Sequence, residues 1–108
     1  MKRLTNLVEE TLECINENGK TCADVLWVGI DDEGDESKCM WCTWEEFATR
    51  WSPFIYDNGY GSAEVDGRLV VVGEDWWLER AEYDGSEWWE FRTLPTKPAV
   101  HKVPGRLR

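Results

Sequence analysis

At 108 residues and 42% hydrophobic content, the chain is one domain long, apolar enough to fold and too short for a second core. Its 12 basic and 22 acidic residues leave a net charge of −10, which disfavours direct contact with nucleic acid or an anionic membrane and favours a basic partner. No stretch approaches the ~18 apolar residues of a membrane span. The basic start Met1-Lys2-Arg3 has no apolar run behind it, so no secretory signal is predicted and the expected location is cytoplasmic.

Leu4, Leu7, Val8, Leu12 and Ile15 form one stripe at helical spacing, with Glu9, Glu10, Glu13 and Glu17 around the rest. An amphipathic helix is predicted there, capped by Thr5 and stopped at Gly19. After a capped turn over Thr21–Asp24, the run Val25–Ile30 reads as a buried strand. The polar loop 31–38 then leads to a returning strand over Cys39–Cys42. Thr43-Trp44-Glu45-Glu46 is a capping box that starts a short helix, ending near Trp51 before Pro53. Residues 56–66 read as a loop from their Asn-Gly content.

Three strands are predicted next: Arg68–Val72, Trp76–Tyr83 and Glu87–Leu94, the last two joined by a turn at Asp84-Gly85-Ser86. A register with Glu82 opposite Trp88 brings Arg80 to Glu90 and puts Trp76 and Trp88 on one exposed face, beside Glu82, Glu90, Arg80 and Arg92. The expected fold is α+β: helix, β-hairpin, short helix and three-stranded antiparallel meander, with the helices on one face of the sheet. The acids all precede residue 97: with eight bases they give a body of −14, whereas the four bases beyond give +4. A single acidic domain over 1–96 and a flexible, basic, proline-containing tail over 97–108 are expected.

Little in the chain points to catalysis. Cys39-Met40-Trp41-Cys42 is a CxxC outside the βαβ context of a redox motif, and Cys14 and Cys22 are poorly spaced to complete a zinc site with it. The four cysteines are read as reduced, small buried hydrophobes. His101, the sole histidine, lies in the tail, so no triad assembles. Asp31 to Glu36 lacks calcium-loop spacing, and Tyr60-Gly61 lacks the lysine and helix of a phosphate loop. No cofactor, metal or enzymatic activity is expected. Eight tryptophans in so small a domain cannot all be wrapped, and those left outside beside carboxylates suit Arg- or Lys-rich partners.

The segment Glu82-Tyr83-Asp84-Gly85-Ser86-Glu87-Trp88-Trp89-Glu90-Phe91 resembles a family of small, acidic, uncharacterised proteins carried by bacteriophages and prophages of gut bacteria. Asp24–Gly29 and Thr43-Trp44-Glu45-Glu46-Phe47 are similar too, and the resemblance spans about two-thirds of the chain. It implies no catalytic residue. It implies a setting in the bacterial cytoplasm, where small acidic phage proteins block host defence as anti-CRISPR or anti-restriction inhibitors filling a nucleic-acid groove. The expectation is therefore a non-enzymatic inhibitor that imitates nucleic acid to a basic protein surface. Glu9, Glu13 and Glu17 on one helical face and the tip acids Asp31, Asp32, Glu33, Asp35 and Glu36 would be the mimics, with Trp76 and Trp88 as anchors. The alternative is a peptide- or small-ligand-binding module using the Trp hairpin, alone or as a homodimer.

Overall fold

The computed structural model describes residues 4–59 and 61–107; Met1–Arg3, Tyr60 and Arg108, which figure in the sequence reading, lie outside them. The fold is α+β. In chain order it comprises β1 (Leu4–Asn6), α1 (Leu7–Glu17), β2 (Trp27–Ile30), β3 (Met40–Cys42), α2 (Trp44–Trp51), β4 (Ile55–Asp57), β5 (Leu69–Val72), β6 (Trp76–Tyr83) and β7 (Ser86–Thr93). The hairpin and the meander join through antiparallel pairing of β2 with β5, giving a five-stranded sheet of order β3-β2-β5-β6-β7. β1 and β4 form a separate antiparallel pair.

Two local expectations are corrected at the first helix. Leu4–Asn6 is strand, and the cap is Asn6, whose Oδ1 accepts from the Glu9 amide at 3.0 Å, not Thr5. Pairing of Leu4 with Asp57 draws these residues out of the helix, and Leu4 is exposed. The second helix starts as its sequence implies, with reciprocal bonds between Thr43 and Glu46. The predicted loop at 56–66 takes in the last two residues of β4, a strand with no local signal because its partner lies about fifty residues away.

The final hairpin turns on two residues rather than three. Asp84 and Gly85 both have positive φ, at 49° and 85°, as a two-residue hairpin turn requires. Ser86 is consequently the first residue of β7 and pairs with Tyr83. Glu82 faces Glu87, Arg80 faces Trp89 and Ala81 faces Trp88, one residue away from the expected register. Because side chains alternate, a one-residue slip moves all of β7 to the opposite face. Trp88 thus shares a face with Trp77, and Trp76 lies on the other.

Trp76 is in the core, 2% exposed, and its ring sits where a side chain on Gly73 would go. It joins Leu7, Ile15, Val28, Trp44, Phe47, Tyr56, Val71, Leu78 and Trp89 in one buried cluster that takes side chains from both helices and one sheet face. Alternation assigns Trp27, Val70, Val72, Trp77 and Trp88 to the outer face. All five are half-buried.

Gly29 sets how closely β3 can approach. A Cβ there would overlap the Met40 carbonyl oxygen and lie 2.9 Å from the Trp41 Cα, both backbone atoms that cannot rotate away. Gly29→Ala is expected to cost about 1–3 kcal/mol by overpacking, with faster amide exchange along β3. Unchanged exchange there would show that the strand tolerates the shift.

Candidate functional site

A concavity whose charged residues are all acidic lies between α1 and the edge strand β7. It has a volume of about 490 Å³ and is lined by Glu9, Glu10, Glu13 and Glu17 of α1, by Trp88 and Trp89 of β7, and by Leu4, Thr5, Asn6, Cys14 and Asn58. Three residues singled out from helical spacing and one of the two proposed tryptophan anchors therefore meet in one groove. Glu9, Glu13 and Glu17 are exposed, and among the described residues none pairs with a base.

The composition of α1 works against its own stability. Like charges at i,i+4 each cost a few tenths of a kcal/mol. Glu17 lies at the negative end of the helix dipole, and the last turn holds no base. The crowding of negative charge is visible at Cys14, whose thiol pKa is raised first by burial and then by Glu17, Glu10, Glu90 and Glu13. Cys42 is likewise raised, by burial and then by Glu46.

β7 extends the acidic surface. Trp88 donates its indole N–H to Glu90 at 2.8 Å, and Trp77 donates to Glu79 at 2.9 Å. Glu79 and Glu90 are register partners, a like-charge juxtaposition that the two indoles and Arg92, 3.4 Å from Glu79, offset in part.

Beneath the groove lies a buried polar network missed at the sequence level. Arg80, expected on the exposed face, has a side chain only 3% exposed. It donates to Glu87 at 2.9 Å and to the Tyr56 hydroxyl at 3.1 Å, lies 3.4 Å from Glu10, and stands 4.7 Å from the Trp89 ring centroid. Tyr56 donates to Glu10 at 2.6 Å; burial and then that carboxylate raise its pKa well above the ordinary range. Trp89 donates to Thr11 at 2.8 Å, fastening α1 to β7. Glu10 is thus committed internally while its neighbours Glu9 and Glu13 face outward. The presence of Arg80 amid an alternating strand was the available signal.

The second acidic cluster sits at the connection from β2 to β3, at the other end of the sheet from β7, and the structure does not bring it to the groove. Two of its five acids have internal roles. Asp32 accepts from Arg68 at 2.8 Å and from the Gly34 amide at 3.0 Å, whereas Asp35 caps Ser37 and pairs with Lys38 at 3.9 Å. Asp31, Glu33 and Glu36 are exposed.

The bonds from Arg68, foremost among the causes, lower the pKa of Asp32 and Asp66. A depressed folded-state pKa stabilises above the unfolded value, about 3.9 for Asp, and that contribution fades as pH falls through the folded value. The amide of Asp31, bonded to the Arg68 carbonyl, should therefore keep its protection at pH 4 and lose it only in stronger acid. A carboxyl titration of Asp32 at the ordinary value would refute this.

Among the described residues no group of three His, Cys, Asp or Glu side chains is placed to hold a metal ion, and no helix is long and apolar enough to cross a membrane. Cys14, Cys22, Cys39 and Cys42 are all free thiols, and against the expectation of burial Cys22 and Cys39 are exposed, lying in the connections that flank β2. Comparison with protein-family models, curated proteins and solved structures finds no match to this chain.

Proposed function

We propose that the protein is a non-enzymatic binding protein that presents the α1–β7 groove to a basic surface on a partner protein. The observation that carries this reading is the convergence of Glu9, Glu13 and Glu17 with Trp88 in one concavity, in a row that repels itself and ends in an acid at the negative end of the helix dipole. A solubilising role would be served equally by dispersed acids. Aligned carboxylates steer cationic partners in quickly at low salt, and the Trp88 indole, on the outer face of the same edge strand, adds cation–π attraction for Arg or Lys.

The most specific form of this reading follows the resemblance to phage proteins. The partner is then a host defence nuclease or another nucleic-acid-handling protein, inhibited by occupation of its phosphate-binding groove. The site comprises Glu9, Glu13, Glu17, Glu90 and Trp88. Trp76 drops out because it is buried, and Asp32 and Asp35 because they serve the tip itself.

Capture from a bacterial lysate tests the reading when the wild type is run beside Glu9→Lys/Glu13→Lys and a tip control, Asp31→Lys/Glu36→Lys. The expected result is one basic protein retained at low salt by wild type and tip control, released at high salt, and lost in the α1 variant. Equal capture by the α1 variant would exclude the groove.

A further inference from the structure

The outer sheet face holds a second feature, whose reading does not rest on the α1–β7 groove. Val72 of β5 pairs with Trp27 of β2 on one side and with Trp77 of β6 on the other, so two indoles flank a valine floor in one row. The cavity there has a volume of about 360 Å³, with Val70 beside Val72 and with Asp31, Glu33 and Glu79 among its lining. Its two bases are each held by acids, Arg68 by Asp32 and Asp66 and Arg80 by Glu10 and Glu87. Aromatic walls, an apolar floor and an acidic margin suit a proline-containing basic segment in the polyproline II conformation.

The chain carries such a segment. Pro95-Thr96-Lys97-Pro98 opens a tail that continues with Lys102, Pro104 and Arg106, and every residue from Arg92 to Leu107 is exposed. In polyproline II geometry two prolines three residues apart share a face at about 9.3 Å. Two strand spacings separate β2 from β6, about 9.6 Å. The two repeats match closely enough for one proline to stack on each indole, leaving Lys97 at the acidic margin.

The tail does not occupy its own slot, whose lining holds none of its residues. The Leu94 amide bonds the Asp75 carbonyl, so β7 is prolonged past the start of β6 and Pro95 follows at that end, beyond the row that holds Trp77. We propose that the Trp27–Trp77 slot binds the Pro95–Pro98 segment of a second copy of this chain, the two tails exchanging reciprocally in a two-fold dimer.

The test uses the full chain. Sedimentation over a concentration series should show mass rising from 12.6 kDa towards twice that value. Pro98→Ala/Lys97→Glu, which alters only exposed tail residues, should weaken self-association at least tenfold. A synthetic peptide of residues 94–107 should shift tryptophan emission in the wild type and leave Trp77→Ala unaffected. A single-chain mass at every concentration overturns the proposal, whether or not the tail folds back onto its own body. A dimer that survives the tail variant overturns it as well, since another surface would then hold the copies together.

Discussion

Glu87→Ala will destabilise the domain by about 3–5 kcal/mol, the usual consequence of removing one member of a buried ion pair. Glu87 is 4% exposed and accepts from Arg80 at 2.9 Å and from the amides of Glu64 and Val65 at 2.7 and 3.2 Å. Truncation strands the Arg80 guanidinium beneath the sheet, with Glu10 and the Tyr56 hydroxyl as its remaining polar partners. It also frees two amides of the segment before β5. Against a total stability of about 5–15 kcal/mol, such a loss brings the domain close to unfolding at ambient temperature. Urea midpoints give the value directly. The double variant Arg80→Met/Glu87→Leu should cost less than the two single changes summed, because it leaves no unpaired charge. A loss under about 1 kcal/mol for Glu87→Ala would mean that the network is wet and only loosely coupled.

Reversing the outward row of α1 should have the opposite profile, abolishing binding while sparing the fold. Glu9, Glu13 and Glu17 are exposed, so Lys in their place breaks no buried contact, and three lysines at this spacing repel one another about as the carboxylates do. Lys at position 17 even complements the helix dipole. An exposed ion pair with a partner is worth up to about 1 kcal/mol. Losing three therefore weakens association by about 3 kcal/mol, or on the order of 100-fold. The deficit should shrink as salt rises, since the screening length falls from about 10 Å at 0.1 M to 3 Å at 1 M. Trp88→Ala, in contrast, should weaken binding by a factor that salt hardly changes. An identical salt response for both variants would show that the indole contributes no contact of its own.

Local chemistry was legible in the sequence and long-range geometry was not. The Thr43–Glu46 capping box and the acidic row of α1 are set by neighbours three or four residues apart, so spacing alone reveals them. The strand Trp76–Tyr83 was also readable from its own residues. Tyr83-Asp84-Gly85-Ser86 is compatible with a two- or a three-residue turn, and only the left-handed conformation of Asp84 decides between them. That one residue determined whether Trp88 shares a face with Trp76 or with Trp77. Arg80 reads as a surface base until Glu10, Tyr56 and Glu87 converge on it from three separate elements. The groove shares this property: its acids come from one helix, but Trp88 reaches it only because Thr11 and Trp89 fasten α1 to β7.

Whether the α1–β7 groove receives a basic partner can be read by mapping an octa-arginine peptide onto the isotopically labelled protein by NMR at 50 and 500 mM salt. Saturable shifts are expected at low salt in the amides of Glu9, Glu13 and Glu17 and in the Trp88 indole N–H, vanishing at high salt. Shifts spread evenly over the tip acids Asp31, Glu33 and Glu36, with the Trp88 indole unmoved, would contradict it and reduce the acidity to unspecific charge.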